Sequence, residues 1–195
     1  ITGINSVFFY APMIFEQSGI GTDAAFMQAV MVGLVNLVFT VLAILTIDKL
    51  GRRPLLGFGL ALIAACMLLL AYGFGAATYS EAGELLEINS TLILIGILGF
   101  VAGFAISLGP VMWVLFSELF PNRIRGIAIS FVGLINSSVS FVVQLVFPWE
   151  LENFGSSVTF LIYGLFAIVG LVIVMKLLPE TKGKSLEELE AELVR

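Results

Sequence analysis

The sequence predicts an all-α, integral membrane bundle of six helices followed by a short amphipathic helix. Three observations carry this expectation. The 195 residues are 59% hydrophobic and only 12% charged, where soluble domains run near a quarter charged. Mean hydropathy reaches +1.11. The charges also cluster in short stretches between long uncharged runs, and the cations occupy only every second stretch.

The uncharged runs, in order, are 1–15, 24–47, 55–80, 89–117, 126–149 and 153–175. The last five are each long enough to cross a bilayer core of roughly 30 Å, which takes about 20 helical residues. They are apolar on all faces, unlike the one-sided helices of a soluble core. The first run holds Gly3 and Ala11-Pro12 and is short. It is expected to be the trailing part of a helix in a longer polypeptide. The second carries Asn36, the third Cys66, the fourth Gly109-Pro110, and the fifth Asn136 and Gln144. Pro179 stops the sixth. Residues 1–178 are therefore expected to form the transmembrane bundle and 179–195 a separate tail. In that tail Ser185-Leu-Glu-Glu188 has the capping-box pattern, and Leu186, Leu189 and Leu193 fall on one helical face.

The charges orient the bundle. Lys49, Arg52, Arg53, Arg123, Arg125, Lys176, Lys182, Lys184 and Arg195 all lie in or beside the second connection, the fourth connection or the tail. The other connections hold Glu16, Asp23, Glu81, Glu84, Glu87, Glu150 and Glu152 and no cation. With six crossings the basic stretches share one side, which the positive-inside rule makes cytoplasmic. Asn89-Ser-Thr91, on the opposite side, matches a glycosylation sequon.

Inventory excludes several chemistries. Cys66 is the single cysteine and there is no histidine, so neither a disulfide framework nor a Cys/His metal set nor a Ser–His pair can form. No nucleophile–base set marks an enzyme. The net charge of -5 says little about nucleic acid, because what matters is where the charges sit; no nucleic-acid partner and no cofactor are expected. The partners expected are a lipid bilayer and a small polar ligand.

The ligand site is expected where helices break. The first and fourth runs open two three-helix units, and both carry a Gly/Pro interruption: Gly3 and Ala11-Pro12 in one, Gly109-Pro110 in the other. Interrupted helices at matching positions of two repeats point to a transporter's substrate site. Asn5, Asn36 and Asn136 lie on runs beside these breaks. Each amide offers donors and acceptors suited to a hydroxylated ligand. A bond to a neighbouring helix is the alternative for each. Trp113 and Tyr10 add flat rings with polar edges that can stack on a sugar face and close a pocket. Gly99-Phe-Val-Ala-Gly103 reads as close helix packing. No carboxylate lies deep within a run, so no proton relay is evident here. On the basic side, Asp48-Lys-Leu-Gly-Arg-Arg53, Glu118, Arg125 and Glu180 could snorkel. They could equally form ion pairs that clamp helix ends in one conformational state.

The ordered set Gly3-Ile-Asn5, Phe9-Tyr10-Ala-Pro12, Asp48-x-x-Gly-Arg-Arg53, Gly109-Pro-Val-x-Trp113, Ser117-Glu-Leu-Phe-Pro121, Arg125-Gly126 and Pro179-Glu-Thr-Lys-Gly183 resembles the C-terminal half of a sugar porter of the major facilitator superfamily. The likeness covers essentially the whole chain and is nearest to the bacterial xylose–proton symporter group. It implies two inverted three-helix repeats, a missing N-terminal six-helix half, and a multi-pass place in the plasma membrane, a bacterial inner membrane, with the C-terminus cytoplasmic. It implies monosaccharide transport of the xylose/glucose class by alternating access, with a proton as coupling ion. A facilitator of the uniporter type and a non-transporting sugar sensor remain as alternatives.

The resemblance also implies residue roles. Asn5, Asn36, Trp113 and Asn136 match the family's sugar-contacting positions, Tyr10 its gating aromatic, and Gly109 and Pro110 the flexible break. Asp48, Arg52, Arg53, Glu118, Arg125 and Glu180 match its intracellular ion-pair network. The chain departs from the pattern at Ser137, where relatives often have Trp, and at Ala105, where facilitators often have Glu. The family's paired glutamines and its proton-coupling Asp would precede Ile1.

Overall fold

A charge-free apolar run in a bilayer must satisfy its backbone internally, and helices do so within one segment. The computed structural model describes residues 2–17, 22–79, 85–121 and 123–183. They form α1 (Ile4–Gln17), α2 (Thr22–Leu50), α3 (Arg52–Gly75), a hairpin of β1 (Thr78–Tyr79) and β2 (Leu85–Glu87), α4 (Ser90–Ile106), α5 (Leu108–Leu119) and α6 (Arg125–Leu177). The amphipathic helix expected from Ser185 onward lies outside the described residues.

The six runs map onto these elements with informative differences. Helix α2 is about 44 Å long and α3 about 36 Å at 1.5 Å per residue, ample for one crossing each. Helix α6 would reach about 80 Å if straight. It bends at Gly155, whose φ of 77° and ψ of 161° interrupt the helix near the start of the sixth run. Its two arms, 125–154 and 156–177, are the two expected crossings. The third run was expected to continue to Ser80, but α3 ends at Gly75. There the amide of Ala76 donates to Tyr72 O at 2.8 Å. The β-prone Thr78 and Tyr79 then pair antiparallel with Glu87 and Leu85. Asn89, the first residue of the sequon triplet, is the N-cap of α4, its Oδ1 accepting the Leu92 amide at 3.0 Å.

The interruption expected at Gly3 is found, the one at Ala11-Pro12 is not, and the one at Gly109-Pro110 is displaced. In the first run the backbone turns at Gly3 (φ 77°), whereas Pro12 sits inside an unbroken α1. In the fourth run the helix stops at Ser107 (φ −128°, ψ −89°), three residues ahead of Pro110. Proline has no amide to donate four residues back, and its ring crowds that carbonyl. The chain relieves both problems just after Ile106, and Pro110 falls in the first turn of α5, where no donor is required.

Helix α3 is the central post, packed against α4, α5 and α6, with the second arm of α6 meeting it at Ser157, Phe160 and Gly164. The main core joins Val7, Ile14 and Phe15 of α1 to Ile63, Met67 and Leu70 of α3, Ile97 and Phe100 of α4, and Phe147 and Phe160 of α6. A smaller core of Ile47, Leu55, Leu56, Val111 and Leu115 closes the basic end. The α3–α4 seam is tight: a Cβ on Gly59 would stand 1.7 Å from Ser107 Oγ. Large side chains such as Phe26, Leu34, Leu45, Ile127, Phe131 and Leu145 point outward from α2 and α6, as lipid-facing or partner-facing helices require.

Candidate functional site

The turn at Gly3 and the start of α5 meet at one cavity of about 350 Å³, within the size range of small-molecule sites. Thr2, Gly3, Ile4 and Asn5 line it from the start of α1, and Phe104 from the end of α4. Leu108, Gly109, Met112 and Trp113 enter from α5, and Asn136, Ser140 and Val143 from the first arm of α6. Because α5 restarts at Leu108, its first-turn amides lack intrahelical acceptors. Such helix starts present donors and a partial positive charge.

Trp113 is half-exposed and stands edge-on to Phe116, with ring centroids 6.0 Å apart. Its ring tip reaches the α6 backbone at Gly133, where a Cβ would lie 4.0 Å from the indole. The indole thus shares the cavity lining with two carboxamide residues, Asn5 and Asn136, and two hydroxyl residues, Thr2 and Ser140. This set can stack on one face of a small polyol and exchange hydrogen bonds with its rim.

Of the residues expected here, the structure brings together Asn5, Gly109, Trp113 and Asn136. Asn36 sits on α2 away from this lining. Tyr10 packs against Phe147 with centroids 5.5 Å apart, behind the cavity, and Pro110 is likewise outside the lining. The amide of Gln144 is spent on its own helix, donating to Ser140 O at 3.2 Å. Thr2, Phe104, Met112 and Ser140 were not anticipated. Ser140 was legible, since it lies one helical turn beyond Asn136 on the same face. Phe104 and Met112 come to the cavity only through the break at Ser107.

At the basic end a compact cluster forms. The Arg52 guanidinium donates to Glu118 Oε1 from Nη2 at 2.7 Å and from Nε at 3.1 Å, and its Nη1 lies 3.1 Å from Asp48 Oδ1. Thr181 Oγ1, itself buried, donates to the other Glu118 oxygen at 2.6 Å. Glu180 accepts the backbone amides of Arg52 at 3.0 Å and Arg53 at 3.1 Å. It therefore caps α3, whose own N-cap, Gly51, has no side chain to do so. Cations serve the opposite helix ends. Arg53 Nη2 donates to Met175 O near the end of α6, and Lys182 Nζ to Lys49 O at the end of α2. Arg125 stands apart from this cluster, with Nε donating to Phe120 O at 3.2 Å.

A family model described as sugar (and other) transporter matches residues 1–193. The chain belongs to this sugar transporter family. Its sequence is 41% identical over 195 residues to the D-xylose-proton symporter of Escherichia coli (strain K12), covering 97% of this chain and 38% of that protein. It is 36% identical over 196 residues to the glucose facilitated diffusion protein of Zymomonas mobilis, covering 97% of this chain and 39% of that one. Among solved structures, the proton:xylose symporter XylE bound to 6-bromo-6-deoxy-D-glucose is similar with a TM-score of 0.83 at 41% identity, over 98% of this chain and 39% of that chain. The sugar transporter chain thus spans about two fifths of the length of the relatives it matches. Its long apolar helices make it a multi-pass membrane protein.

Proposed function

We propose that this chain is the second six-helix half of a monosaccharide transporter of the xylose/glucose class. It would work by alternating access against a first half. The observation that carries the reading is the cavity at the meeting of two helix starts, lined by an indole and two carboxamide residues. Rocking of one bundle against the other would open that cavity to each side in turn. In this reading Asn5 and Asn136 hydrogen-bond the sugar hydroxyls and Trp113 stacks on its C–H face. Tyr10, Gly109 and Pro110 shape the gating elements, and Asn36 makes a peripheral contact from α2. The basic end faces the cytoplasm of a plasma membrane. The cluster of Asp48, Arg52, Arg53, Glu118 and Glu180, with Arg125 at its edge, biases the outward-open state. Coupling to a proton is supported by the 41% identity to a proton symporter. Facilitated diffusion is the second reading, favoured by the 36% identity to a facilitator.

The test is uptake of radiolabelled D-xylose and D-glucose by the complete transporter in sealed vesicles, with and without an imposed proton gradient. Saturable uptake is expected, lost in the Trp113→Ala, Asn5→Ala double variant. Gradient-driven accumulation means symport, and equilibration alone means facilitated diffusion. Undiminished uptake by the double variant would overturn the site, and no uptake of either sugar by the wild type would overturn the substrate class.

A further inference from the structure

Tyr163 and Glu150 form a polar pair that none of the roles above uses. Tyr163 lies on the second arm of α6, only 4% exposed, and its Oη donates to Glu150 Oε2 at 2.8 Å. The bond crosses the bend at Gly155 and ties the fifth crossing to the sixth. A buried phenol that takes a half-buried carboxylate as its partner, rather than water, calls for a reason.

The surroundings supply one. The Tyr163 ring lies flat against the backbone of Gly3, where an added Cβ would come within 3.5 Å of its Cδ2. Gly3 is the turn at which α1 begins, it lines the cavity, and Asn5 follows two residues later. A second contact runs through Phe147, which is fully buried. Its ring centroid is 6.1 Å from that of Tyr163 and 5.5 Å from that of Tyr10. Tyr163 therefore supports α1 directly at Gly3 and, through Phe147, two turns further along at Tyr10. Packed interiors transmit such displacements because they leave no slack to absorb them.

We propose that the Glu150–Tyr163 hydrogen bond is a positioning device that holds α1 in register with the cavity and so sets how tightly Asn5 engages the sugar. The proposal rests on the reading of this cavity as a sugar site. It treats Tyr163 and Glu150 as positioning residues that never touch the ligand.

The experiment compares Tyr163→Phe, Glu150→Ala and Glu150→Gln in the complete transporter. One readout is the KM and Vmax for D-xylose and D-glucose, and the other is amide hydrogen exchange across residues 3–10. Losing one partly buried hydrogen bond costs about 1 kcal/mol, so Tyr163→Phe and Glu150→Ala are expected to raise KM roughly 5-fold. Vmax should stay near wild type, and exchange at 3–10 should quicken in step. Glu150→Gln keeps an oxygen that accepts from Tyr163 and should restore both readouts. Unchanged KM and exchange in Tyr163→Phe would overturn the inference, as would a Glu150→Gln variant that behaves like Glu150→Ala. If the wild type carries neither sugar the transport reading falls, while the exchange data still decide whether this bond holds α1.

Discussion

Both carboxylate oxygens of Glu180 accept amides from the first turn of α3, 127 and 128 residues away in sequence. A carboxylate in that place satisfies two orphan donors and complements the helix dipole, together worth about 1–2 kcal/mol. Glu180→Ala should lower the detergent-solubilised protein's melting temperature and speed amide exchange at residues 52–56. Exchange that stays slow there would show that another group caps α3. Gly51 makes the contact possible. Its φ is 94°, and a Cβ would stand 2.8 Å from Glu180 Oε2. Gly51→Ala thus combines strain of roughly 1–3 kcal/mol, in a positive-φ extended region open essentially to glycine, with displacement of the cap. It is expected to destabilise at least as much as Glu180→Ala, measured in the same melt. At the cavity, Asn136→Ala removes a lining amide and should raise sugar KM about tenfold, given about 1.4 kcal/mol for a lost polar contact. Asn36→Ala, outside the lining, should cost distinctly less. Equal effects on uptake would mean that α2 moves into contact when the sugar binds. Sequence made the amides and the indole conspicuous, but it could not rank them. Which amide faces a cavity depends on how each helix is rotated.

Among the elements, the break between α4 and α5 does most to shape the site, because it brings Leu108, Gly109, Met112 and Trp113 to the cavity. Pro110 marked its neighbourhood in the sequence; its position at Ser107 follows from the carbonyl four residues before the proline. Pro110→Ala restores the missing donor and should let α4 run into α5 as one helix. The expected outcome is slower amide exchange at 108–111 and weaker sugar binding. Exchange as fast as in the wild type would show that the break is held by packing instead. Packing does contribute, since Gly59 gives Ser107 its seat. Pro12 has the opposite lesson. Its ring sits inside α1 without breaking it, and the turn in that run belongs to Gly3. A proline signals a lost hydrogen bond, and surrounding helices decide whether the backbone bends in response.

At the scale of the whole molecule, the apolar surfaces of α2 and α6 need lipid or a partner bundle to cover them. Charge parity orients the structure in that bilayer. The connections bearing Lys49, Arg52, Arg53 and Lys182 converge at one end, together with Glu118 and Glu180. Cysteine labelling offers a check, because Cys66, the single thiol in these 195 residues, is buried. Arg123→Cys should react with a membrane-impermeant maleimide only from the cytoplasmic face, and Glu152→Cys only from the outside. Both positions are exposed. Labelling of both from one face would refute the six-crossing topology.

The sequence alone determined the class of solvent and the lengths of the apolar runs, from which six crossings with the cations on one side are expected. Those properties depend on composition and run length, which any helical arrangement in a bilayer must respect. It also carried an ordered motif set sufficient to identify the family. Only the tertiary structure decided that Asn5, Trp113 and Asn136 share a cavity while Asn36 and Tyr10 lie outside its lining, that Glu180 caps a helix far away in sequence, and that Glu150 meets Tyr163 behind Gly3. Each depends on helix rotation and on contacts between residues distant in the chain. In apolar helices that are hydrophobic all round, no amphipathic stripe records which face turns inward.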